Sequence, residues 1–259
     1  MKLFLASDLH LECHEAPPEI EVPSCDVIVL AGDISSMKEA LSYCSEVARC
    51  HATPVIFVPG NHEYYRGNYV ELSTYARSYA DSNVHVLLEN MVVIGGVRFI
   101  GTTLWTDFTA GTNGHEGRIH RNQLNAAKYI NDFRVISMSD KKSDRLRPGY
   151  VMGFYHESCN YLREQLAKPF DGKTVVITHF CPSIRLEDPK FKGSELSSYF
   201  NANCDSIIKE YQPDFWLFGH THHCVDTCID KTRIISNQFG YRREWGYTGY
   251  RPQLLIDVE

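Results

Sequence analysis

The sequence predicts an α/β fold in which mixed sheets are covered by helices. Two patterns carry that expectation. Short apolar runs alternate with helix-period segments early in the chain, and later runs lie closer together with a hairpin signal among them. Size is the third observation: 259 residues, 43% apolar and 22% charged, suffice to bury a sizeable core.

Lys2–Ser7 reads as the first strand, and Asp26–Ala31 as a second with both faces buried. Ser36 to about Cys50 carries a helical pattern and leads into a strand at Pro54–Val58. Tyr69 to about Asp81 is a second helix, followed by a strand at Val84–Leu88. Met91–Ile94 and Val97–Gly101 form a hairpin turning at Gly95-Gly96. A helix over about Val151–Ala167 precedes strands at Thr174–Thr178, Asp214–Phe218, Arg233–Ser236 and Leu254–Val258. Leu104–Arg147 shows no strand pattern. Across Leu104–Tyr150 eight Lys/Arg oppose five Asp/Glu, a local +3 in a chain of net charge −6. The expectation is one domain over 1–259 with a basic cap or insertion at about 104–150.

With 26 basic against 32 acidic residues, broad electrostatic binding to duplex nucleic acid is disfavoured. No apolar run approaches the roughly 18–20 residues of a membrane span. The apolar start is cut short by Asp8, too early for a signal peptide. Nine cysteines without repeated close spacing argue against a disulfide framework, so a cytoplasmic protein with reduced, mostly buried thiols is expected.

The chemistry sits where strands stop. Asp8-Leu9-His10, Gly32-Asp33, Gly60-Asn61-His62-Glu63, Thr178-His179 and Gly219-His220-Thr221-His222 each follow an apolar strand. Carboxyl ends of strands form the ligand crevice of open α/β sheets, so these clusters can converge on one rim. Asp8 and His10 are two apart, as are His220 and His222, which in extended chain puts both side chains on one face. Imidazole, carboxylate and amide oxygen together suit Mn, Fe, Zn or Ni. Seven candidates, Asp8, His10, Asp33, Asn61, His179, His220 and His222, are too many for one catalytic ion and suit two ions sharing a carboxylate. Two divalent ions against two carboxylates leave about +2, a site for an anion such as phosphate.

Other signals carry less. Ala167–Thr174 loosely matches a phosphate loop but precedes a strand instead of following one. His222-His223-Cys224 with Cys228 lacks a second pair for structural zinc. Glu12-Cys13-His14-Glu15 reads as solvated loop, with contact to the site as the alternative. Neither a zincin His-Glu-x-x-His nor a serine-hydrolase Gly-x-Ser-x-Gly occurs.

In order and content, the five clusters resemble the signature of the calcineurin-like metallophosphoesterase superfamily, over about Leu3 to Ser236. The resemblance implies a four-layer α/β/β/α sandwich, two mixed sheets between helical layers. It also implies two divalent or trivalent metal ions: one on Asp8, His10 and His222, the other on Asn61, His179 and His220, with Asp33 bridging. His62 would be the non-ligand acid at the leaving group, with a metal-bridging hydroxide as the nucleophile. Thr102–Phe108 and Asn237–Tyr241 look like a bacterial branch of unassigned substrate. Gly32-Asp33-Ile34-Ser35-Ser36-Met37-Lys38 lacks the Asp-Arg-Gly of the protein phosphatases, and the usual Asn-Pro near the end is Asn237-Gln238. His115, Arg118, His120 and Arg121 are the substrate-binding candidates of the inserted segment, with Arg242 and Arg243 behind them. The expected function is hydrolysis of a phosphate mono- or diester. Two alternatives compete: an inactive binding scaffold, which the intact ligand set argues against, and a nuclease acting on single-stranded ends, which the net charge disfavours and the basic segment favours.

Overall fold

The computed structural model describes residues 1–14, 20–141 and 143–259. Glu15 and Lys142, which figured in the loop and charge readings above, lie outside the described residues. Strands β1 (Lys2–Ala6), β2 (Val27–Leu30), β3 (Val55–Phe57) and β4 (Val84–Val86) run parallel in one sheet. Strands β5 (Asn90–Ile94), β6 (Val97–Thr102), β7 (Thr174–Thr178), β8 (Phe215–Phe218), β9 (Asp226–Ile229) and β10 (Thr232–Ser236) build a second. Its order is β5-β6-β7-β8-β10-β9, antiparallel only at the two edges. The last strand, β11 (Leu255–Asp257), returns to pair antiparallel with β1.

Strand parity explains the layers. Leu3, Leu5, Val27 and Val29 interlock with Phe99, Val175, Ile177 and Leu217 of the other sheet. Their neighbours Phe4, Ala6, Ile28 and Leu30 belong to a separate core under the helices, as do Ile100, Val176 and Trp216. Strands covered on both faces are apolar throughout, which is why β2 is buried at every position. Helix α1 (Met37–His51) lays Met37, Ala40, Leu41, Cys44, Val47 and Ala48 on the first sheet at helical spacing. Helix α2 (Tyr69–Arg77) starts where Asn68 Oδ1 accepts from the Val70 and Glu71 amides at 3.0 and 3.4 Å. It ends at Arg77, short of Asp81.

The 104–150 segment, expected to be a cap or insertion, is anchored in the core. It holds α3 (Glu116–Tyr129) and α4 (Asp132–Val135), and α5 (Pro148–Leu166) begins inside its end with Pro148 in the first turn. Leu104, Trp105, Phe108, Phe133, Ile136 and Leu146 are buried in the same core as α5. The Trp105 ring lies 5.2–6.3 Å from the rings of Tyr64, Tyr69, Phe154 and Phe180. These anchors escape periodicity because Leu104, Trp105 and Phe108 sit on left-handed backbone, in neither a helix nor a strand. Short helices α6 (Ser197–Phe200) and α7 (Asp205–Tyr211) follow, and α7 packs on α5.

Among the described residues no helix is long and apolar enough to cross a membrane. All nine cysteines are free, but only Cys44, Cys159, Cys181 and Cys204 are buried, fewer than expected.

A candidate dinuclear metal centre

The seven candidate ligands gather at the carboxyl ends of five strands, three in the first sheet and two in the second. Asp8 and His10 follow β1, Asp33 follows β2, Asn61 follows β3, His179 follows β7, and His220 and His222 follow β8. The two-residue spacing works differently from the extended geometry expected. Asp8, His10, Asp33, His220 and His222 all have positive φ, between 46° and 74°. Non-glycine residues rarely adopt this region, and a cluster of five marks strain held for a purpose. Gly32 has φ of 86°, and a Cβ there would run into the His179 ring and lie 2.8 Å from the Gly60 nitrogen. A Cβ at Gly60 would fall on Asp33 Oδ1.

Two groups form. In one, His10 Nε2 lies 3.0 Å from His222 Nε2, which is 3.4 Å from Asp8 Oδ1. In the other, His179 Nε2 lies 3.1 Å from Asn61 Oδ1 and 3.3 Å from Asp33 Oδ1. Asp33 Oδ2 reaches back to within 4.0 Å of His10 Nε2. Within Asp8–His10–His222, within Asp33–His179–His220, and also within His10–Asp33–His62, the potential ligand atoms lie no more than 4.8 Å apart.

The surrounding contacts decide which atoms face the centre. His179 Nδ1 donates to the Ala31 carbonyl at 2.8 Å, and His222 Nδ1 donates to Glu244 Oε2 at 2.5 Å. A neutral ring so engaged turns a bare Nε2 inward, the tautomer a metal needs. Asn61 Nδ2 donates to Asp132 Oδ1 at 3.1 Å, which turns Asn61 Oδ1 inward as well. Acceptor therefore faces acceptor in both groups, an arrangement that a cation resolves. His220 Nε2 is buried without a hydrogen-bond partner among the described residues. Protons mark the same places. Burial opposes charging His179 and His222, yet Asp33 holds the first up at about 9 and Asp8 with Glu244 holds the second at about 10. The residues present fit a pair of metal ions.

The late loop locks this geometry. Gln238 Oε1 accepts from the His222 amide at 2.5 Å, while Gln238 Nε2 donates to the His223 carbonyl at 2.9 Å. Asn237 Nδ2 donates to the Leu5 carbonyl at 2.7 Å, tying the end of β10 to β1. Gln238 thus has a clear task in place of the missing Pro. Thr103 Oγ1 donates to the Pro59 carbonyl at 2.7 Å and braces the Gly60-Asn61 turn. Glu63 accepts from the amides of Gly60, Asp33 and Ile34 at 2.6–3.0 Å, and burial pushes its carboxyl up to about 7.

His62 stands beside the two groups, with Nε2 3.9 Å from Asp33 Oδ2 and 3.1 Å from the Tyr241 hydroxyl. Its ring stacks on Tyr65 at 4.0 Å. Nδ1 donates to Glu12 Oε1 at 2.7 Å. Burial would lower its pKa, but Asp33, Glu12 and Asp132 outweigh burial and raise it to about 9. Glu12 is therefore no solvated loop residue. Its carboxyl, half-covered and held by His10 and His62 against the cost of burial, drops to about 2. Tyr241, Glu244 and Asp132 were given no role from sequence, and Glu12 had contact with the site only as the alternative to solvated loop. Only Glu12 left a trace, by lying two residues past His10.

A cavity of about 420 Å³ opens over the centre, lined at its floor by Asp33, Asn61, His62, His220 and His222. The four substrate-binding candidates do not line it. Arg118 and Arg121 line a neighbouring cleft with Arg185 and Lys192, and His115 and His120 are exposed. Helix α3 contributes its last turn instead, through Tyr129, and Arg243 reaches the rim.

The calcineurin-like phosphoesterase family matches residues 1–224, and the chain belongs to that family. An uncharacterized protein of Acanthamoeba polyphaga mimivirus is 25% identical over 221 residues, covering 79% of this chain and 74% of that protein. Among solved structures, the phosphopantetheinyl hydrolase of Mycobacterium tuberculosis superposes with a TM-score of 0.71 at 19% identity, covering 94% of this chain and 91% of that one. A dimetal phosphatase from Danio rerio gives 0.50 at 13% identity, covering 92% and 87%. At these identities the likeness is one of fold.

Proposed function

We propose that this chain is a dinuclear metal-dependent phosphoester hydrolase, a single domain over 1–259. Asp8, His10 and His222 would hold one ion, Asn61, His179 and His220 the other, and Asp33 both. The supporting observation is the reach of Asp33, 3.3 Å from His179 on one side and 4.0 Å from His10 on the other. When bound, such ions supply Lewis acidity at the phosphoryl oxygens and hydroxide near neutral pH.

The chain's own residues supply the rest. His62 carries a proton on Nε2, facing the cavity, for delivery to the departing alkoxide. Glu12 holds that ring by Nδ1 and keeps it charged, while Tyr65 stacking fixes its plane. Glu12 acts through His62 and is a positioning residue. Two features favour an enzyme over an inert scaffold: strain gathered at five candidate ligands, and an aligned Glu12–His62 pair that a scaffold has no use for.

The test is a hydrolysis panel of phosphate mono- and diesters across Mn, Zn, Fe, Ni and Mg, Mn first, with Asp33→Asn as control. Metal-dependent turnover that Asp33→Asn abolishes is expected. A metal-free, inert protein after Mn reconstitution would favour the scaffold, and equal activity of Asp33→Asn would place the hydrolysis elsewhere.

A further inference from the structure

Three of the large apolar side chains left most exposed by the fold stand at one opening. Tyr129 is 55% exposed, Phe191 52% and Tyr247 83%, and all three line the cavity over the candidate metal centre. They come from unrelated segments: the last turn of α3, the short turn Pro189–Phe191, and the loop after the turn Arg242–Glu244. Exposed rings lose solvation free energy, and no core packing requires these three to converge. Ile130, Leu196 and Phe200 line the same cavity, with the Phe200 ring 5.1 Å from that of His220. A mostly apolar wall above a few convergent polar groups is the usual form of a small-molecule site, and about 420 Å³ lies within the roughly 300–1,000 Å³ such sites span.

The charges of the wall restrict what enters. Its acids include Glu187, Asp188 and Glu244, and its Lys/Arg complement is Lys190 and Arg243. Lys190 Nζ is 2.8 Å from Asp188 Oδ2, whereas Arg243 is mostly exposed and meets Glu244 Oε1 only through Nε, at 3.8 Å. Acids outnumber Lys and Arg along this lining, which disfavours a second phosphate charge beyond the one the centre neutralises. A diester carries a single charge at neutral pH, and its second ester group needs a surface to lie on.

We infer that the site takes a phosphodiester bearing a flat aromatic group of nucleobase size, which stacks among Tyr129, Phe191 and Tyr247 while the phosphate meets the centre. This rests on the phosphoesterase reading above and names its substrate class. Stacking on aromatic side chains is sequence-tolerant, so the surface selects planarity rather than one particular base.

Three p-nitrophenyl esters with one common leaving group test it on the Mn-loaded protein: methyl p-nitrophenyl phosphate, thymidine 5′-(p-nitrophenyl phosphate), and the monoester p-nitrophenyl phosphate. The thymidine diester should show a KM about tenfold or more below that of the methyl diester, and the monoester the poorest kcat/KM. Calorimetry should reproduce the order without turnover, thymidine 5′-methylphosphonate binding about tenfold tighter than methyl methylphosphonate. Tyr247→Ala and Phe191→Ala, at exposed positions where folding is not at risk, should each shrink the thymidine-to-methyl ratio, and together collapse it towards one. Equal KM and equal affinity for thymidine and methyl compounds, or preference for the monoester, would overturn the inference while leaving the hydrolase reading standing. Inertness towards all three esters would overturn both.

Discussion

Replacing Glu12 by Gln keeps the size of the side chain and its acceptor oxygen but removes the charge that faces His62 Nδ1 at 2.7 Å. A hydrogen bond to a charged group contributes about 1.5–3 kcal/mol. At about 1.4 kcal/mol per factor of ten, full loss of that range moves the His62 titration down from about 9 by about one to two units, a roughly 10- to 140-fold fall in kcat on its alkaline side. The fall should appear on alkyl phosphates, whose leaving group needs a proton, and shrink on nitrophenyl esters, whose leaving group departs without one. Steady-state kinetics of both ester types, with metal content measured on the same samples, reads the difference. The metal control matters because Glu12 Oε1 is also 3.6 Å from His10 Nδ1. In a His62→Ala background the Glu12→Gln change should cost nothing further, because the two residues act as one unit. An equal loss in both backgrounds, or loss of metal in Glu12→Gln alone, would refute the role of Glu12 as the support of His62.

Other substitutions probe the remaining parts. His62→Ala should lower turnover of alkyl esters by about 10²–10⁴-fold with both metals retained, and loss of metal would make His62 a ligand. Asp33→Asn should drop metal content below two per chain and abolish hydrolysis, as read by elemental analysis and the ester panel. Trp105→Ala should destabilise by about 3–5 kcal/mol in a single denaturant transition, because the ring is buried among Tyr64, Tyr69, Phe154 and Phe180. A separate early transition in the wild-type protein would instead show that the 104–150 segment folds as its own unit. Gly32→Ala should yield poorly folded or metal-poor protein, since its Cβ would displace the His179 ring at a φ of 86°.

Much of this molecule was legible before any coordinates, and the reason is local. Strands buried on both faces, such as Val27–Leu30, leave an unbroken apolar run, and the polar residues that follow must lie at the sheet's carboxyl edge. What escaped reading is what periodicity does not encode. Strand β9 is an edge strand with Asp226, Thr227 and Cys228 exposed, so it lacks an apolar signal. Trp105 and Phe108 anchor the core from left-handed backbone, so no helix or strand period marks them as buried. At the site, ligand-type residues announced themselves, whereas Glu12, Glu244 and Asp132 act by orienting a ring or an amide from a distance along the chain. Glu244 is 22 residues from His222, and Asp132 is 71 from Asn61. Arg118 and Arg121 are charged and lie in the inserted segment, but α3 turns them into the neighbouring cleft, a direction their sequence position does not encode.

The central claim is that Asp8 through His222 hold two cations across Asp33. Anomalous diffraction from crystals of the metal-loaded protein, recorded at the edge of the bound element, tests it most directly. Two peaks about 3.5–4 Å apart are expected, one within bonding reach of Asp8, His10 and His222, the other of Asn61, His179 and His220, with Asp33 touching both. A lone peak, or density away from these side chains, would contradict it.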